Sequence, residues 1–141
     1  MIKKVLKDKR GVAAVEMAIV LPLLLLIVGG VIDFGFYFWY KQTLTWASRV
    51  GAREATVQVL AWDGNTAGAI KAKVVEAVKD GCGKDISADN VTIDPETPVL
   101  GGEVTVTVTM PFNYMFLGFA GFSIDSLTGQ TTMLCEPDYN I

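Results

Sequence analysis

The chain has 141 residues, enough for one small folded domain beside a membrane segment, and it carries twelve basic and fifteen acidic side chains. Five of the basic residues lie within the first ten positions, which leaves seven basic against fourteen acidic residues from Val12 onward. This acidic balance excludes a basic nucleic-acid-binding surface outside the N-terminus. Without histidine and with only two cysteines, the chain also lacks the ligands of an ordinary zinc site.

The first eleven residues form a short basic leader. Its charged residues are Lys3, Lys4, Lys7, Asp8, Lys9 and Arg10. Positive charge next to an apolar segment stays on the cytoplasmic side of a membrane. Residues 1–11 are therefore predicted to be cytoplasmic, with the C-terminal part of the chain on the other side of the membrane.

An apolar stretch of 21 residues follows, from Val12 to Ile32, with Glu16 as its single charge. A helix of this length is roughly 31 Å long and matches the hydrocarbon core of a bilayer. Only a helix satisfies all backbone groups of a single span, so a transmembrane helix is predicted. Asp33 marks its expected outer edge. The aromatic residues behind Asp33 are typical of the headgroup level, so the membrane part with its interface is residues 12–40.

The N-terminal flank of the span carries a second signal. The bulky residues after the span lack the small-residue pattern of a signal-peptidase site, so the helix is expected to stay in the mature protein. Before the span, Arg10 and Gly11 are followed by an acid, Glu16, five residues past the glycine. This segment resembles the class III signal of type IV pilins, which a prepilin peptidase cuts after the glycine.

Residues 10–55 as a whole resemble the TadE-like family of minor pilins, or pseudopilins, of the tight-adherence (Tad) pilus system. Besides the cleavage segment, the features that carry this resemblance are Leu21-Pro22, Asp33-Phe34-Gly35 and the run from Ala47 to Ala55. The resemblance implies cleavage between Gly11 and Val12. The implied partners are prepilin peptidase, other pilin subunits, pilus assembly proteins and membrane lipid, in a bacterial inner membrane.

Glu16 has two interpretations. The resemblance implies that its carboxylate pairs with the new α-amino group at Val12 of a neighbouring subunit during assembly. The alternative is an interfacial acid that reaches water near the end of the span.

Pro22 lies inside the predicted span. Its missing N–H removes a hydrogen bond to the preceding turn, so a kink or local loosening of the helix is expected there. The sequence leaves open whether such a bend serves filament packing or is merely tolerated.

Residues 41–141 are predicted to form an exported domain of the TadE-like, pilin-like type. The first helix is expected to continue into it as a stalk and to end at Gly64-Asn65. Ala47, Gly51 and Ala55 recur every four residues along this stalk. Such a small-residue stripe fits either a helix that covers its own domain or a ridge that contacts another subunit.

A second amphipathic helix is predicted over residues 66–79, with Gly81 as its C-terminal stop. Apolar residues then recur with period two, as in half-buried strands. The predicted strands are a short one that contains Val91 and Ile93 and ends at Pro95, and two longer ones, Glu103–Met110 and Leu127–Cys135. The fold class is therefore α+β: a long N-terminal transmembrane helix continuing as a stalk, a second amphipathic helix, and a small antiparallel sheet of about three strands.

The segment between the last two strands, residues 111–125, is unusually apolar. Its large apolar residues are Phe112, Tyr114, Met115, Phe116, Leu117, Phe119 and Phe122. A surface of this kind should not lie bare in water. Three arrangements stay open: packing in the core, contact with the membrane surface, or docking of a partner.

The two cysteines, Cys82 and Cys135, are expected to form one disulfide in an exported domain. The alternative is two separate buried thiols.

No catalytic, cofactor-binding or metal-binding constellation is predicted. Without histidine there is no usual nucleophile–base pair, and the glycine pairs lack the Lys-Ser/Thr of a phosphate loop. The expected function is structural: a minor pilin or pseudopilin that contributes to pilus assembly, adhesion or secretion, with no nucleic acid and no small-molecule substrate. The alternative is an uncleaved, single-pass, membrane-anchored accessory protein with an extracytoplasmic binding domain.

Overall fold

The computed structural model describes residues 9–136, so nearly all of the basic leader lies outside the described residues. Within this range two α-helices, Lys9–Val57 (α1) and Thr66–Cys82 (α2), precede three strands. The strands are Val91–Asp94 (β1), Glu103–Pro111 (β2) and Ser126–Leu134 (β3). The long N-terminal helix, the second helix and the three-stranded antiparallel sheet confirm the predicted α+β class.

The described residues form two compact units. One consists of the chain up to Phe36 together with Tyr114–Ser123, which is part of the connection between β2 and β3. The other consists of Tyr37–Asn113 and the described residues from Ile124 onward. α1 contributes residues to both units.

α1 is a helix of 49 residues that continues through Pro22. An apolar stretch with Glu16 as its single charge favours a helix over the span, because the helix satisfies its own backbone groups. The helix ends at Val57, earlier than the predicted end at Gly64-Asn65. A 3-10 turn, Val59–Ala61, follows it, and the N–H of Ala61 donates to the carbonyl of Gln58 at 3.0 Å.

The sheet has the order β1-β2-β3, with β2 in the centre and both pairs antiparallel. The predicted alternation of β2 is observed: Val104, Val106, Val108 and Met110 are buried, while Glu103 and the threonines between them face the other side. On that other face Thr105 lies opposite Thr132, and their hydroxyl oxygens are 2.8 Å apart. Period two therefore places one apolar face of the sheet towards the helices.

Small residues bring α1 close to the buried face of the sheet. Ala47, Gly51 and Ala55 are all buried, and a Cβ at Gly51 would lie 2.6 Å from Val74 of α2. On β3, a Cβ at Gly129 would overlap the backbone of α1 at Leu44. The small-residue stripe of α1 thus covers its own domain, which decides between the two alternatives that the sequence left open.

α2 begins and ends with defined caps. The Asp63 carboxylate accepts hydrogen bonds from the N–H groups of Asn65 and Thr66 at 2.9 and 2.8 Å and from the Thr66 hydroxyl at 2.7 Å. These bonds satisfy donors of the first turn that have no partner inside the helix. At the other end Gly83 adopts the left-handed conformation, with φ 67°, and closes the helix. The predicted stop at Gly81 is therefore two residues early; Gly81 instead lies against Thr43 of α1.

Candidate functional site

The predicted processing site lies at the start of α1. Gly11 and Val12 occupy its first described turn, and Glu16 lies about one turn further on. Val12 is 37% exposed and Glu16 is exposed. Because they are four residues apart, Val12 and Glu16 share a face of the helix, about 6 Å from each other along its axis. The ion pairs between described side chains do not involve Glu16.

The apolar part of α1 is long enough and apolar enough to cross a membrane. Every residue from Val12 to Val28 is exposed, including Ile19 at 71%. A helix whose apolar side chains are exposed all round fits a lipid environment rather than the edge of a soluble core. The exposure therefore agrees with the predicted span.

Asp33 ends this exposed segment and is itself buried, at 2% exposure. Its carboxylate accepts three backbone hydrogen bonds, from the N–H groups of Met115 at 2.9 Å, Phe116 at 2.8 Å and Leu117 at 2.7 Å. These N–H groups stand at the start of the short 3-10 helix Leu117–Ala120, which has no cap from its own side chains. Asp33 thus caps the 3-10 helix through charge-assisted hydrogen bonds, although it belongs to α1 and is distant in sequence.

Two glycines on the same side of α1 make room for the capped segment. Gly29 and Gly30 are buried, and we call them the glycine notch. A Cβ at Gly29 would lie 2.5 Å from Cβ of Phe116, and a Cβ at Gly30 would lie 3.4 Å from Leu117. Both glycines are within one turn of Asp33, so the notch and the acid form one docking face.

Tyr114–Ser123, which we call the aromatic loop, is held on that face. Tyr114 packs near Phe34 of α1, with ring centroids 6.5 Å apart. The opposite side of the loop is uncovered: Met115 is 64% exposed, Phe119 92% and Phe122 61%. The loop is therefore anchored through its backbone and through one side only.

Core packing, one of the three arrangements considered for residues 111–125, applies to Phe112. This side chain is 6% exposed and makes edge-to-face contacts with Tyr37 and Tyr40, at centroid distances of 6.0 and 5.9 Å. It does not apply to the exposed residues of the aromatic loop.

Both cysteines are free thiols, so the structure differs from the predicted Cys82–Cys135 disulfide. Cys82 lies in the last turn of α2, where its thiol donates to the carbonyl of Val78 at 3.2 Å. Cys135 is fully buried just after β3, and its backbone bonds to Gly101 and Gly102. Each sulfur is thus held by its own element, and burial raises the pKa of the Cys135 thiol.

A cleft of about 480 Å³ opens beside the start of α2. Its charged lining residues are Asp63, Lys71 and Glu96, without a nucleophile–base pair. Within residues 9–136, no three side chains of the histidine, cysteine, aspartate and glutamate types are grouped to hold a metal. The cleft gives no basis for assigning a reaction.

The main contact that the sequence did not predict is that of Asp33 with the aromatic loop. An acid directly after an apolar span indicates that hydrogen-bond donors lie close to its carboxylate, because an unpaired ionised group near the hydrocarbon of a membrane is costly. The donors lie more than eighty positions away in the chain and belong to the backbone, so no residue pattern identifies them.

The comparisons with known proteins agree with the N-terminal features. Residues 11–53 match the family model described as TadE-like protein. The match begins at the glycine of the predicted cleavage site and includes Glu16, the glycine notch and Asp33. Comparison with curated proteins and with solved structures found no match. Through this N-terminal segment the chain is similar to TadE-like proteins.

Proposed function

We propose that this chain is a minor pilin or pseudopilin of a Tad-type pilus. In this proposal a prepilin peptidase cuts it after Gly11, and Val12 becomes the N-terminus of the mature subunit. The mature chain then contributes to pilus assembly, adhesion or secretion. Its role is structural, and its partners are prepilin peptidase, other pilin subunits, pilus assembly proteins and lipid.

The observation that carries this proposal is the match of residues 11–53 to the TadE-like family model, which begins at the proposed cleavage residue. The structure adds support, since the residues immediately after Gly11 form an uncovered apolar helix. An uncovered helix of this kind is free to stay in lipid before assembly or to pack against other subunits after it.

The proposed orientation follows from charge. The basic residues of the leader remain in the cytoplasm, so the N-terminus lies inside and the domain that holds the sheet lies outside a bacterial inner membrane. The peptidase then meets the cleavage site from the cytoplasmic side.

The N-terminus of the mature protein tests the proposal. The full chain with a C-terminal tag is expressed together with a prepilin peptidase, extracted from membranes and sequenced from its N-terminus. The expected first residue is Val12. Gly11→Ala is expected to block the cut and to leave membrane insertion intact, because insertion depends on apolarity and charge alone.

Gly35→Ala is the matched control, because Gly35 lies in the same helix and a Cβ there meets nothing within 4 Å. This variant is expected to be cut like the wild type. A wild-type chain that keeps Met1 in the presence of active peptidase would refute the proposal and favour the uncleaved accessory protein.

A further inference from the structure

The exposed side of the aromatic loop is an apolar patch without charge. From Pro111 to Ile124 the chain contains no aspartate, glutamate, lysine or arginine. Phe119 and Phe122 are 92% and 61% exposed, next to Met115 at 64% and Phe116 at 38%. Exposing this much apolar surface to water is unfavourable.

The loop lies at the level of the apolar span. Phe116 packs on Gly29 and Leu117 on Gly30, and both glycines belong to the apolar stretch before Asp33. Gly29 is four residues before Asp33, or about 6 Å further into that stretch along the helix axis. The neighbouring span residues Val28 and Val31 are exposed, at 48% and 70%. The loop therefore packs on α1 at a level where side chains of the span are themselves exposed.

Six backbone N–H groups of the loop have partners within the chain. Three N–H groups bond to the Asp33 carboxylate. Three more, those of Phe119, Gly121 and Phe122, donate to carbonyl groups within the loop at 3.1–3.2 Å. Polar backbone groups at membrane depth need partners within the protein, because the hydrocarbon offers none. The same bonds satisfy Asp33, which can then remain ionised at the edge of the hydrocarbon.

We propose that the aromatic loop inserts into the bilayer leaflet at the C-terminal end of the span, with Phe119 and Phe122 among the lipid chains. The occupant of the exposed patch is lipid, because the patch lies at the level of a helix that is apolar enough to cross a membrane and has no charged residue of its own. The chain then has two adjacent insertions in one leaflet, the helix and the loop, which fix the depth and the rotation of α1. This inference rests on the span crossing a membrane and is independent of cleavage at Gly11.

Photo-crosslinking from single labelled positions tests whether lipid covers the exposed patch of the aromatic loop. The full chain carries p-benzoylphenylalanine in place of Phe119 and is reconstituted into vesicles of phosphatidylethanolamine and phosphatidylglycerol. After illumination, mass spectrometry is expected to find adducts of the chain with phospholipid. The same label at Val31 is the positive control, and the label at Glu96, an exposed acid after β1, is the negative control.

Two results would overturn the proposal. A label at position 119 that gives no lipid adduct, while the label at position 31 does, would place the loop in water. Adducts at position 119 that are mainly chain-to-chain would make the patch a contact between copies instead of a lipid-facing surface.

Hydrogen exchange of the reconstituted chain tests the anchor separately. The amides of Met115, Phe116 and Leu117 are expected to exchange slowly, and Asp33→Ala should accelerate them at least about tenfold, since bonds to a charged acceptor are lost. Asp33→Asn keeps an acceptor oxygen and the size of the side chain, and it should give an intermediate rate. Exchange that is equal in all three forms would show that Asp33 does not hold the loop.

Discussion

Glu16 and Asp33 are two acids on one helix in opposite surroundings. Three N–H groups of the same chain surround the Asp33 carboxylate, whereas Glu16 is exposed beside the lipid-facing residues of the span. A carboxylate near the end of a span is tolerated when it reaches water or a cation. In the proposed function the cation is the ammonium group that cleavage creates at Val12 of a neighbouring subunit.

Glu16→Ala is expected to leave cleavage and membrane insertion unchanged and to impair assembly. An unpaired charge in a poorly solvated place costs about 3–5 kcal/mol, so recovery of the subunit in sheared filaments should fall at least about tenfold. Glu16→Gln should behave nearly as badly, because it keeps the shape but loses the charge. Assembly of both variants at the wild-type level would leave Glu16 as an interfacial acid only.

The two thiols should differ in reactivity. Cys82 is partly exposed, whereas Cys135 is buried, and burial raises the pKa of its thiol above the usual 9.0. Since the thiolate is the reactive form, labelling of Cys135 by a maleimide in the folded protein should be the slower of the two. Its rate should still rise with pH above 9.0.

Mass spectrometry over time, after digestion, measures each site. The denatured, unreduced chain is the control and should take two labels. A denatured chain that takes none would show that the thiols are joined after all.

At the scale of the elements, the caps of α2 are the features open to test. The Thr66 hydroxyl, with the N–H groups of Asn65 and Thr66, lowers the pKa of Asp63 below 3.8. A lowered pKa means that ionised Asp63 stabilises the fold at neutral pH and that this contribution disappears as the pH falls through the lowered value.

Asp63→Ala is therefore expected to lower the melting temperature at pH 7, because the first turn of α2 loses its cap. The gap between wild type and variant should shrink as the pH falls below 3.8. Thermal unfolding of the detergent-solubilised chains, followed by circular dichroism, measures this gap. A gap that is constant from pH 7 to pH 3 would contradict the role of the charge.

The elements with strong periodicity are the ones that the sequence predicted correctly. β2 alternates without interruption, and α2 places Ile70, Val74 and Val78 on one buried face, so each element and its inward side follow from residue spacing. The end of α2 was misplaced because two glycines stand within three residues, and packing against Thr43 occupies the first of them. The cap of the aromatic loop was missed because its donors are main-chain groups distant in sequence.

At the scale of the whole molecule, the domain that holds the sheet depends on a close approach of helix and sheet. Gly129 on β3 lies against the backbone of α1 at Leu44, where no side chain fits. The Ser48 hydroxyl and that of Thr131 are 2.7 Å apart in the same interface. The Lys41 ammonium of α1 also donates to the carbonyl of Thr128 on β3, so apolar and polar contacts together fix the helix on the sheet.

Gly129→Ala is expected to destabilise this unit by about 1–3 kcal/mol, since a rigid backbone must move to admit one methyl group. Gly68→Ala is the control, because Gly68 lies on the exposed side of α2 with nothing within 4 Å. The control should not lower the melting temperature, since alanine favours a helix. Equal melting temperatures for the two variants would contradict the proposed packing.

Asp33 also bears on the order of folding. β2 and β3 are joined by the segment 112–125, which is far longer than the two to five residues of an ordinary hairpin loop. Closing a long connection carries an entropy cost before any strand bond forms. α1 leaves the ribosome first, so its acid is already in place when residues 115–117 are made. Docking them there shortens the free length of the connection, and β3 should then find β2 faster than in a chain without the acid.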